Sequence, residues 1–119
     1  RCESFDEGDT WRVPVPMPLV SATSPPNIKR IPSTGDLLLV WNHSLDTRTR
    51  NPLTSAISKD DGDTWVNVRD LEDDADHSFA YPSITFVGGE VLLTYYRSKY
   101  ATTGWELKLK ILPEAWFYD

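Results

Sequence analysis

The chain has 119 residues, about one ordinary domain with a single modest core. Its net charge of −6 argues against nucleic acid or an anionic membrane surface as partner, because both are bound through basic patches. No apolar run approaches the roughly 20 residues of a membrane helix, and five Trp, five Tyr and four Phe argue against disorder.

In chain order, the sequence opens on Arg-Cys-Glu-Ser rather than Met, which suggests that a native start lies upstream. Cys2 is the single cysteine, so no disulfide forms within the chain, and that leaves the compartment open. Positions 4–11 read SFDEGDTW. Residues 27–32 (NIKRIP) read as a short strand and residues 33–36 as a turn. Residues 37–42 (LLLVWN) form an almost wholly apolar run of strand length, the pattern of a strand covered on both faces. A polar loop follows over 43–51, and residues 52–58 (PLTSAIS) alternate loosely into a second phrase, SKDDGDTW, at 58–65. Residues 65–71 (WVNVRDL) leave it as another strand.

The acidic run at 71–76 lacks the alternating ligands and central Gly of an EF-hand loop, so it reads as a solvated turn. Residues 81–87 (YPSITFV) and 90–97 (EVLLTYYR) are strands joined by a two-residue hairpin turn, Gly88-Gly89. Residues 105–112 (WELKLKIL) give a third strand, with Leu107, Leu109 and Ile111 on one face and Lys108 and Lys110 on the other. No segment carries helical periodicity at useful length, so the chain reads as all-β. His43 and His77 are isolated and make no metal site, Tyr95 and Tyr96 read as packing residues, and no cofactor motif is present.

The two eight-residue phrases stand 54 positions apart, with four short strands per period. That period matches one propeller blade, and propellers close with roughly four to eight blades. Residues 1–26 read as the end of one blade with the first phrase, 27–76 as a complete blade with the second, and 77–119 as a partial last blade. About two blades leave apolar faces that need further blades, from the same parent chain or from further copies. In Ser4, Asp6, Gly8, Thr10 and Trp11, and in Ser58, Asp60, Gly62, Thr64 and Trp65, the phrase is a self-stapled turn. Asp and Thr bond nearby backbone, Gly supplies a positive φ, and Trp packs under the turn. Its role is stability.

Both phrases resemble the Asp box (BNR repeat) of the sialidase (neuraminidase) superfamily, whose members are six-bladed β-propellers. The strings SPPNIKRIPSTGDLLLVWNHS, RNPLTSAISKDDGDTW and FAYPSITFVGGEVLLTYYR resemble the carboxyl-terminal half of such propellers in order and spacing. The resemblance implies hydrolysis of a glycan bearing a terminal sialic or related acidic sugar, without a cofactor. A bacterial parent would favour a secreted or periplasmic location. A sugar carboxylate calls for Arg, which stays charged and grips it in bidentate fashion. A neutral Tyr nucleophile avoids the repulsion that a carboxylate nucleophile would meet there.

By the same resemblance, Arg50 stands where the family places the third member of its arginine triad, with Arg48 as the alternative. Tyr81 stands at the nucleophile's position, at the start of an inner strand, and Asn42 is a candidate for the pocket rim. The other arginines, the acid/base Asp and the Glu that activates the Tyr belong to amino-terminal blades of the family, so this chain alone is expected to be inactive. Two alternatives stand beside this reading. One is a non-catalytic glycan-binding propeller, closed by self-assembly of two-blade chains. The other is a protein-interaction scaffold.

Overall fold

The computed structural model describes residues 1–100 and 104–119. Its strands form two antiparallel sheets in meander order. The first holds β1 (Asn27–Arg30), β2 (Leu37–Asn42), β3 (Leu53–Ser58) and β4 (Val66–Glu72). The second holds β5 (His77–Val87), β6 (Glu90–Lys99) and β7 (Glu106–Pro113), followed by a 3-10 turn, Glu114–Phe117. The all-β, blade-like reading holds, with successive sheets of four and three strands.

The sheets pack face to face. Leu38 and Val40 on β2, with Leu53 and Ile57 on β3, meet Phe79 and Ile84 on β5 and Val91, Leu93 and Tyr95 on β6. Each large apolar side chain buried in this seam contributes about 1.5–3 kcal/mol. The opposite face of β2 and β3 carries Leu39, Trp41 and Ala56, covered by Leu19 and Trp65. Trp41 also donates from its indole to the Val20 carbonyl at 2.9 Å. Burial on both faces is why LLLVWN shows no alternation.

Gly88 and Gly89, at φ 59° and 85°, make the hairpin turn with both central residues in the left-handed region. β5 begins at His77, ahead of the expected start at residue 81, because His77–Ala80 pair with Lys99–Tyr96 across β6. The apolar side of β7, Leu107, Leu109 and Ile111, is the exposed one. Lys110 turns the other way, donating to the Leu71 carbonyl and lying 3.0 Å from Glu72.

The two phrases share the same four Ser, Asp, Gly and Thr bonds but differ at the Trp: the exposed Trp11 indole donates to the Gly8 carbonyl at 3.0 Å, whereas Trp65 Nε1 is buried without a partner. Ser58 Oγ donates to Asp60 Oδ1 (2.8 Å) and accepts from the Gly62 amide (2.8 Å). Asp60 then accepts from the Thr64 amide (2.8 Å) and the Thr64 hydroxyl (2.6 Å). Ser4, Asp6, Gly8 and Thr10 repeat all four bonds at 2.8, 2.8, 2.9 and 2.6 Å. Residues Asp61 and Gly62 have φ 54° and 92°, and Glu7 and Gly8 have 59° and 100°. The likeness extends beyond the turns. Amide bonds from Arg12 to Glu3 and from Val15 to Arg1 flank the first turn. They fall at the same positions, 54 residues earlier, as the Ile57–Val66 and Ser55–Arg69 pairs of β3 and β4. Arg1 ties the two turns together by pairing with Asp63.

The hydroxyl and amide of Thr64 hold the Asp60 carboxyl down at about 2, against an ordinary 3.8. Because the folded value lies below the unfolded one, this stabilisation is complete above about pH 4 and is lost as pH falls towards 2. Asp60→Asn is therefore expected to unfold at lower urea than the parent at pH 7, with the gap closing by pH 2. A gap independent of pH would show that the carboxylate is not the staple.

Candidate active site

β3 separates two ends of the first sheet. The stapled turn at 58–65 leaves one end of the strand, and the loop over 43–52 enters at the other. That second end gathers Arg50, Tyr81, Asn42, His77 and Arg97. It is built by the β2–β3 connection, the β4–β5 turn and the first half of β5.

The Arg50 guanidinium lies over the Tyr81 ring, 5.3 Å from its centroid. Tyr81 is half exposed, and Arg50 is partly so. A backbone bond from the Phe79 amide to the Arg50 carbonyl (2.8 Å) locks the two segments together. Tyr81 sits within β5 and not at its start, which corrects the expectation from sequence. The register slips by one residue between Ala80 and Ser83, and Tyr81 has φ 56°. This bulge, with its left-handed residue, reverses the alternation of β5. Phe79 before it faces the core, and Tyr81 is turned to the outer face. A non-glycine residue in that region carries local strain, and such strain concentrates where a side chain must be aimed.

Asn42 is not a rim residue. It is 1% exposed, and its amide donates to the Pro52 and Phe79 carbonyls, each at 3.1 Å, while its oxygen accepts from Ser24 at 2.6 Å. It is a buried cross-link directly beneath the Arg50 and Tyr81 segments. Arg48 is exposed, with its amide bonded to Asp46. His43 is exposed beside Trp41, with ring centroids 5.3 Å apart.

Three arrangements escaped the sequence reading. Tyr96, read as a packing residue, is 44% exposed and meets the Tyr81 ring edge-on at 6.1 Å. Arg97 reaches His77 Nε2 at 2.9 Å, and His77 Nδ1 lies 2.9 Å from Asp74. The same Arg97 nitrogen is 3.5 Å from His77 Nδ1, so the guanidinium lies against the imidazole ring. Third, Glu72 belongs to β4 and accepts from the buried Tyr95 hydroxyl. Burial opposes ionisation of Glu72, but the bonds from Tyr95 and Lys110 outweigh it and lower its pKa. Burial, then the Glu72 bond, pushes the Tyr95 phenol well above its ordinary value, which suits a structural pin and not a nucleophile.

Two consecutive meander sheets packed face to face, stapled at one end by twin turns, define a propeller-type repeat protein. Residues 1–93 match the BNR repeat-like domain, and the chain belongs to that family, within the sialidase and Asp-box repeat superfamily. No curated protein and no solved structure is matched.

Replacing Asn42 by Ala leaves two buried carbonyls unpaired, at a cost of about 1–3 kcal/mol. Urea unfolding of Asn42→Ala is expected to show that loss, whereas Arg48→Ala unfolds like the parent. An Asn42→Ala variant as stable as the parent would remove the cross-link from the account.

Proposed function

We propose that this chain forms part of a sialidase-like glycoside hydrolase, in which Arg50 binds the carboxylate of a terminal acidic sugar and Tyr81 is the nucleophile. The single observation behind this reading is the stacking of Arg50 on an outward-turned, half-exposed Tyr81, at the end of the sheets opposite the stapled turns. A guanidinium held there can pair with a sugar carboxylate while the phenol faces the adjacent anomeric carbon. In the implied reaction the Tyr81 oxygen bonds to that carbon as the glycosidic bond breaks. The phenolic proton passes to a base, the leaving oxygen is protonated by an acid, and water later releases the sugar. Among the described residues no carboxylate bonds the Tyr81 hydroxyl, and the family supplies base and acid from its amino-terminal blades.

A second reading is a glycan-binding propeller without hydrolysis, favoured by the exposed aromatic rings beside Arg50. Turnover of an aryl sialoside by the intact protein separates the two. Arg50→Ala and Tyr81→Phe are each expected to lower kcat/KM by about 10²-fold or more, of the order found when one transition-state contact is removed. Near-normal turnover in both variants would exclude the hydrolase assignment, and saturable binding without turnover would establish the second reading.

A further inference from the structure

The loop over 43–52 divides into two parts by where its hydrogen bonds go. Towards its tip it bonds to itself around Asp46, whose carboxylate accepts from the Arg48 amide at 3.0 Å and the Thr49 hydroxyl at 2.7 Å. At 50–52 the bonds run instead to the segment that leads into Tyr81. The Arg50 carbonyl accepts from the Phe79 amide at 2.8 Å. The Asn51 side-chain amide donates to the Asp74 and His77 carbonyls, at 2.7 and 2.8 Å. The Pro52 carbonyl shares the Asn42 amide with the Phe79 carbonyl, each at 3.1 Å. Only at Asn51 does a side chain of the loop itself reach across. A substitution there removes the tie and leaves the backbone bonds in place.

Resting on the reading of Arg50 and Tyr81 as the terminal-sugar site, we infer that Asn51 is a positioning residue of that site, whose amide clasps the turn ahead of β5 and so holds Arg50 over Tyr81. Among the described residues no carboxylate pairs with the Arg50 guanidinium, which lies 5.3 Å from the Tyr81 ring centroid. Its aim therefore depends on the backbone that carries it. Asn51 is the next residue, and the turn it grips is closed by a bond from the His77 amide to the Asp74 carbonyl at 3.0 Å. The residue type matters, because two acceptors call for two donors. An amide supplies both, whereas a carboxylate of the same shape supplies neither. A loop fixed before the ligand arrives loses less freedom on binding. The clasp thus raises affinity for a sugar carboxylate that Asn51 itself does not touch.

The test follows the Arg50 Nε–H resonance of the chain, assigned as the signal absent from Arg50→Lys. Stacking on Tyr81 gives that signal a ring-current shift, which Tyr81→Leu is expected to remove. A signal unmoved by Tyr81→Leu would overturn the stacked pair, and the positioning role with it. Asn51→Ala is expected to move the signal towards its Tyr81→Leu position, while the Thr10 and Thr64 amide signals stay in place and mark an intact fold. Asn51→Asp keeps the shape without a donor, and the same movement is expected in it. A signal at the parent position in both variants would overturn the role of Asn51. Titration with methyl α-sialoside, followed by amide shifts, gives the second readout, in which Asn51→Ala weakens binding about tenfold. Parent-like affinity in Asn51→Ala would overturn the positioning role alone. Parent-like affinity in Arg50→Ala, or no binding by the parent chain, would overturn the terminal-sugar reading. Asn51 lies outside both core clusters, so its variants keep the core.

Discussion

The seam between the two sheets is the constraint on which everything else depends. β2 and β3 are buried on both faces, so their apolar side chains have to be covered twice. The second sheet covers one side through Phe79, Ile84, Leu93 and Tyr95. The amino-terminal segment covers the other through Leu19 and the Trp41–Val20 bond. With the sheets fixed face to face, the β2–β3 loop and the first half of β5 must meet at one end, and the stapled turns must lie at the other. Polar pins reinforce the seam: Asn42 joins β2 to the Phe79 carbonyl, and Tyr95 joins β6 to Glu72 on β4.

This arrangement divides labour along β3. The end carrying Ser58, Asp60, Gly62 and Thr64 satisfies its bonds within one turn and has little left to offer a ligand. At the opposite end, donors and rings face outward. Arg50 and Tyr81 stack on each other, and Tyr96 and Trp105 extend the row. The strained backbone at Tyr81, the bulge in β5 and the buried Asn42 beneath them all act on the aim of two side chains.

Much of the fold was legible because it is local. Alternation and turn chemistry place most strands to within a residue or two, and Gly88-Gly89 fixes the tight hairpin between β5 and β6. The repeated phrase fixes a period, because its bonds all lie within eight residues. The start of β5 was not legible, since His77-Ser78-Phe79-Ala80 has no strong strand preference and becomes a strand by pairing with β6. Glu72 was hidden by its acidic neighbours; its partners, Tyr95 and Lys110, lie in other strands. The inward turn of Lys110 was the available signal, since a lysine facing the sheet interior needs an acceptor. Asn42 is a polar residue at a strand end, a pattern shared by rim residues and buried pins, and only its carbonyl partners across the seam distinguish the two. The one-residue slip that turns Tyr81 outward cannot be read from a pattern of alternation, because it breaks that pattern.

The account stands on the claim that ligand chemistry belongs to the Arg50–Tyr81 end and stability to the stapled end. Backbone amide chemical-shift mapping of the chain with methyl α-sialoside tests it most directly. The account predicts shifts concentrated at residues 48–51 and 77–81, with those at 4–11 and 58–65 unmoved. Shifts centred on the stapled turns, or spread evenly over both ends, would contradict it.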